Sequence, residues 1–167
     1  MSLNLILSEG EKRYICGGIE VGMRSDGRNL KEYQLISCER NVAQNCDGSS
    51  HVRCGKNDVL VGVKLEIEEI EKSEDWTGSG RVDFFADLTA NASPQFEGKQ
   101  GEDICSELIT LFSASIPQFL HLKSLVVVDG KSFWVIHIDI VILECGSRAS
   151  LIDTVSMAVK TALYDTK

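Results

Sequence analysis

Alternation is the clearest signal in this chain. Between residues 58 and 67, Val59, Val61, Val63, Leu65 and Ile67 take one side of a period of two, and Asp58, Leu60, Gly62, Lys64 and Glu66 take the other. That pattern predicts a strand with one mostly polar face. Residues 81–89 repeat it, with Val82, Phe84, Ala86 and Leu88 on one face and Asp83, Phe85 and Asp87 on the other. From Ser132 to Glu144 both faces are apolar. Trp134, Ile136, Ile138, Ile140 and Ile142 alternate with Phe133, Val135, His137, Asp139, Val141 and Leu143. Such a strand is expected to be central and covered on both sides. Shorter strands are predicted at 33–42, 50–54 and 124–128, the last turning through Asp129-Gly130-Lys131 into the long one.

A longer period predicts helices. Residues 8–19 open on Ser8-Glu9-Gly10-Glu11, an S-x-x-E capping box. Residues 101–115 carry Ile104, Leu108, Leu111 and Phe112 as an apolar stripe, with Glu102 and Asp103 in the first turn, where the helix dipole favours acids. Residues 148–164 place Leu151, Ile152, Val155, Ala158, Val159, Ala162 and Leu163 on a wide apolar face. Ser150-Leu151-Ile152-Asp153 matches a second capping box there. The stretch 68–80, with Glu69, Glu71, Glu74 and Asp75, is expected to be a solvated acidic loop. No repeat or linker interrupts the order, so residues 1–167 read as one α+β domain.

Composition narrows the function classes. Hydrophobic residues make up 43% and charged residues 25%, the balance of a globular protein with a real core. No apolar run approaches the roughly 20 residues that cross a bilayer. The patch Leu3, Leu5, Ile6 and Leu7 is too short for a signal peptide, and Glu9 and Glu11 stand where a cleavage site would be. The chain is expected to stay inside the cell. Of six cysteines, none forms a C-x-x-C pair or has histidines at zinc spacing, so free thiols, buried or half-buried, are expected. The net charge of −8 excludes an autonomous nucleic-acid binder working by bulk electrostatics. RNA contact would run through a few local arginines, in an assembly whose partners supply positive charge.

The best local candidate for chemistry is Cys145-Gly146-Ser147-Arg148, between the long strand and the last helix. Such a junction exposes backbone N–H groups at the positive end of a helix. Gly146 permits close approach, Ser147 offers a hydroxyl, and Arg148 a forked cation for phosphate oxygens. The competing reading is an ordinary capped helix with a surface arginine. His137 and Asp139, two apart on one strand face, are expected to form a hydrogen-bonded pair. No third ligand or nucleophile accompanies them. Asp83 and Asp87 are expected to be solvated, with a bound cation as the alternative. His51 and His121 have no assigned role.

The ordered string of segments goes further. Arg24-x-Asp26-Gly27-Arg28 resembles the R-x-D-G-R signature that opens RNase PH-like subunits of the RNA exosome. Residues 55–64, Gly-Lys-Asn-Asp-Val-Leu-Val-Gly-Val-Lys, resemble their G-x-T-D-(V/I)-L-V-G-V-K strand, and Ala90-Asn91-Ala92-Ser93-Pro94-Gln95-Phe96-Glu97-Gly98 their A-N-A-(S/T)-P-x-F-E-G loop. Trp134-Val135, Asp139 and Leu143-Glu144-Cys145-Gly146 are similar to the W-V-L-x-x-D-x-x-x-L-E-C-G run, and Ala158-Val159-Lys160-x-Ala162-Leu163 fits the end of the following helix. Within the family, the F-E-G, L-E-C-G and A-V-K-x-A-L segments point to one ring-subunit type.

The resemblance implies an α+β, RNase PH-like (ribosomal protein S5 domain 2-like) fold, a mixed sheet packed against helices, with the family's C-terminal half lacking after Lys167. It implies a non-catalytic ring subunit working with other RNase PH-like subunits in a hexameric ring, with cap subunits and single-stranded RNA. It implies no cofactor, and a location in nucleus, nucleolus and cytoplasm. The catalytic acid of the active relatives lies in the lacking half. Around the loop before the first long helix those relatives carry arginines, where this chain reads Lys99-Gln100-Gly101-Glu102-Asp103. Acids there repel substrate phosphate. Gly146, Ser147, Arg148 and Lys99 are the candidate RNA or phosphate contacts. The alternative is a phosphate-dependent 3′–5′ exoribonuclease whose Gly146, Ser147 and Arg148 bind the attacking phosphate. A small unrelated binding module would require the motif string to be coincidence. A sheet without its second half would expose an edge or an apolar face, so dependence on partners is expected.

Overall fold

A computed structural model describes residues 8–70, 78–89, 92, 99–146 and 148–167, with backbone alone at 99, 100, 148 and 149. By packing, the chain falls into two units, Met1–Gln34 and Leu35–Lys167. Among the described residues no helix is long and apolar enough to cross a membrane.

The first unit holds α1 (Glu9–Glu20). The capping box forms as its sequence predicts: Glu11 N donates to Ser8 Oγ at 3.2 Å and Ser8 N donates to Glu11 Oε2 at 2.7 Å. The bonds that Ser8 N and Ser8 Oγ donate to Glu11 Oε2 hold the Glu11 carboxyl below its usual range. None of the helix residues is buried. The R-x-D-G-R loop then closes on itself. Gly27 takes φ +83°, which a side chain resists. Arg24 Nη2 donates to Leu30 O at 2.8 Å, and Arg28 Nε to Asp26 Oδ2 at 2.8 Å. Both guanidinium groups therefore serve the loop's own shape.

The second unit is built on β1 (Ile36–Arg40), β2 (Gly48–Cys54), β3 (Asn57–Glu69), β4 (Arg81–Leu88), α2 (Lys99–Ser115), β5 (Val126–Val128), β6 (Ser132–Glu144) and α3 (Arg148–Asp165). The sheet order is β1-β2-β3-β6-β4, with β5 paired to β6. Pairing is antiparallel except between β4 and β6, which run parallel across the α2 connection. The sheet is therefore mixed, as expected. The strand predicted at 33–42 shortens to Ile36–Arg40. It is an edge strand with every residue exposed, so no apolar face extends it.

Register shows why the core forms where it does. Val59, Val61 and Val63 pair with Ile142, Ile140 and Ile138, which pair in turn with Leu88, Ala86 and Phe84. The face so made meets Ile104, Leu108 and Phe112 of α2 and Leu151, Val155, Ala158, Val159 and Ala162 of α3 in one buried cluster. Both long helices pack on this face. The expectation that β6 is covered on both sides is therefore corrected. On its second face Phe133 and Val135 are buried, but His137, Val141 and Leu143 are half-buried and Asp139 is exposed. Helices that both pack on the isoleucine face leave the other face to polar side chains.

All six cysteines are free, yet Cys16 and Cys38 are exposed, against the expected burial, because one stands on the uncovered α1 and the other on the edge strand. An apolar groove of about 480 Å³ lies between the end of α2 and α3. Ile116, Phe119, Leu120, Val159, Leu163 and Tyr164 line it, and Phe119 is 86% exposed. Such a surface is costly in water.

Candidate functional site

The junction of β6 and α3 is built against the β2–β3 turn. Gly146 is required there by proximity: a Cβ at that position would lie 2.4 Å from Lys56 Cβ. The close approach that glycine allows is thus toward the protein's own turn. Gly146 N donates to Asn57 Oδ1 at 2.9 Å, and Asn57 Nδ2 donates to Ser150 Oγ at 2.7 Å. Cys145 N donates to Ala92 O at 3.0 Å. The N–H groups of residues 145 and 146, which the sequence pattern offers to an anion, are occupied inside the fold.

Ser150 corrects a second expectation. Helix α3 begins at Arg148, so Ser150 lies within the first turn and cannot be its cap. Its hydroxyl accepts from Asn57, and its carbonyl accepts from Thr154 Oγ1 at 2.8 Å. Ser147 lies outside the described residues, as do the side chains of Arg148 and Lys99. The backbones of these two residues open α3 and α2. Beside the junction, Lys56 is exposed, and so are Glu102 and Asp103 near the start of α2.

One cluster was invisible in the linear pattern. His51 Nε2 and Arg53 Nε, both on β2, converge on the two carboxylate oxygens of Asp58 on β3, the arginine at 2.7 Å. Asp58 keeps 10% of its side chain exposed, against 63% for Arg53. The buried carboxylate thus holds the guanidinium through Nε and leaves its outer nitrogens in solvent. The register Arg53↔Asp58 and His51↔Leu60 brings these residues together. The signal available in the sequence was the tight turn at Gly55-Lys56, which sets that register.

His137 and Asp139 do not pair with each other. The ring nitrogens of His137 face sideways, Nε2 to Glu66 at 3.7 Å and Nδ1 to Asp83 at 3.9 Å. Neighbours on adjacent strands lie about 5 Å apart, closer than residues two apart along one strand at roughly 6.6 Å. Lys64 bonds Glu66 at 2.7 Å, which holds that carboxyl below its usual range and raises the lysine. Arg81 bonds Glu68 at 2.7 Å and Asp83 at 3.0 Å, so Asp83 answers to protein cations. Among the described residues no group of three or more His, Cys, Asp or Glu side chains is placed to hold a metal ion. In the acidic loop, Glu71, Glu74 and Asp75 lie outside the described residues.

Comparison with known proteins adds four findings. The model of the 3′ exoribonuclease family, domain 1 (RNase PH), matches residues 32–167. Exosome complex component Rrp42 of Saccharolobus islandicus is 33% identical over 159 residues, covering 94% of this chain and 56% of the relative. A chain of the Archaeoglobus fulgidus exosome with RNA bound to the active site superposes with TM-score 0.77 at 27% identity, over 93% of this chain and 60% of that one. An archaeal exosome core chain superposes at 0.68 with 24% identity, over 93% of this chain and 57% of that one, which speaks to the fold alone. The chain spans a little over half the length of the curated relatives it matches.

Proposed function

Because this chain belongs to the 3′ exoribonuclease (RNase PH) family, we propose that it is a non-catalytic ring subunit of an RNA exosome, of the ribosomal RNA-processing protein 42 (exosome component 7) type. In that role it forms part of the scaffold and RNA path for 3′–5′ processing and degradation, beside other RNase PH-like subunits and beneath cap subunits. The observation that carries the reading is the 33% identity to exosome component Rrp42 along 94% of the chain. On the same reading it acts where ribosomal RNA matures, in nucleus and nucleolus, and in cytoplasm.

Two local features speak against catalysis. Exposed Glu102 and Asp103 near the start of α2 set negative charge where a substrate anion would dock. The Gly146 N–H is already bonded to Asn57. One feature favours the alternative, a phosphorolytic enzyme: Arg148 opens an 18-residue helix, a place where a guanidinium and a helix dipole act together on phosphate.

The test is incubation of the chain, within its ring, with single-stranded RNA and inorganic phosphate. No nucleoside diphosphate attributable to this subunit is expected, and Arg148→Ala is expected to leave any ring activity unchanged or to weaken RNA retention alone. Nucleoside diphosphate release that disappears in Arg148→Ala would establish the enzyme instead.

A further inference from the structure

The side of the helical layer turned away from the sheet has two unlike ends. At one end Phe119, 86% exposed, stands out from the segment that follows α2, at the rim of the groove over Val159 and Leu163. Lys160 lies in the same groove, its Nζ 6.0 Å from the centre of the Tyr164 ring. At the other end a second apolar hollow, of about 110 Å³, opens between the two helices. Ile104, Leu108 and Leu111 of α2 and Leu151 and Ile152 of α3 line it, and Leu111 is 41% exposed. One end thus offers a projecting ring and the other an apolar seat for one.

Charge follows the same division. Asp153 and Lys160 are both exposed on the outer stripe of α3, two turns apart, which at 1.5 Å per residue is about 10 Å. The midpoint between them falls at Ser156 and Met157. A two-fold axis through that level lays α3 of one copy antiparallel to α3 of another and sets each Asp153 against the other copy's Lys160. The same operation carries the level of Lys160, where Phe119 stands, onto that of Ile152, where the hollow lies. Ring meets hollow and acid meets base, each of them twice. A surface that matches itself under a two-fold is what an isologous dimer requires.

Single-stranded RNA could stack on Phe119 and Tyr164, but Asp153 on the same stripe repels its phosphates. The net charge of −8 opposes a second copy at long range. Salt screens that repulsion beyond about 8 Å, and at contact the local signs are matched. We infer that two copies of this chain pair through the outer face of α2 and α3, with Phe119 of each seated in the other's hollow at Ile104, Leu111 and Ile152. This pairing goes beyond the ring reading and does not depend on it.

Sedimentation equilibrium of the purified chain, over about a hundredfold range of concentration, measures the pairing. The parent is expected to pass from monomer to dimer within that range. Phe119→Ala is expected to weaken the dimer about tenfold or more. A side chain so exposed can lose its ring with the fold intact, which an unchanged urea midpoint checks. Asp153→Lys and Lys160→Asp are each expected to weaken the dimer about tenfold, because each sets like charges together twice. The chain carrying both changes has opposite charges at both contacts again, and is expected to dimerise as the parent does. A parent that stays monomeric throughout would overturn the pairing, as would a dimer that none of the three single variants weakens. A double variant no tighter than the single ones would overturn the antiparallel match. Loss of ring assembly in Phe119→Ala, from a parent that is monomeric alone, would overturn the choice of a second copy and leave the ring reading standing.

Discussion

The covered and open faces of the sheet are made by alternate residues of β3, β4 and β6, and they differ in every respect that matters. On the covered face Val61, Ile140 and Ala86 line up across three strands, and α2 and α3 close over them. On the open face the corresponding rows are Lys64, His137 and Asp83, then Gly62, Asp139 and Phe85. The first face is continuous apolar packing whose value lies in exclusion of water. The second is a ladder of ion pairs in solvent, which stabilises little. What it offers instead is polar surface in which Phe85 stands 53% exposed beside the His137 ring. The stability of the sheet therefore resides on its covered side.

The largest expected effect tests that division directly. Ile138→Ala opens a cavity beneath both helices and should cost about 2–5 kcal/mol. Phe85→Ala, on the same sheet but half in water, should cost about 1 kcal/mol or less in the isolated chain. Urea denaturation of the two variants makes the comparison. Equal losses would mean that the open face is already buried against something in solution.

A smaller effect is expected at the one buried charge of the β2–β3 hairpin. Asp58→Ala leaves His51 and Arg53 without their shared acceptor, and should cost about 1–3 kcal/mol. The NMR signals of the His51 ring should move while those of His137 stay in place. Movement of both would mean that the two clusters on the open face are one network.

Most of the fold was legible because it follows from the two-residue period. The valine run 59–63 and the isoleucine run 136–142 announce their own buried face. The long strand misled on its second face, because Val141 and Leu143 look like core in a sequence and are half-buried in the fold. Periodicity says which residues share a face, and cannot say which face receives the helices. The capping box at Ser8 was legible because all its atoms lie within one turn. The apparent box at Ser150 was misleading because Asn57, 93 residues away in sequence, claims the hydroxyl. A separation of 89 residues hid the arrangement of the candidate site in the same way. Gly146 was read as open to an anion, and the side chain that occupies its N–H comes from another strand. His51 and Asp58 belong together through hairpin register, which single-residue inspection does not reveal.

The claim on which the account depends is that this chain works as part of an assembly. Co-expression with the other RNase PH-like subunits of its organism, followed by native mass spectrometry of the purified material, tests it most directly. A heteromeric ring that contains this chain is expected. Recovery of the chain only as a free monomer, beside a ring complete without it, would contradict that role.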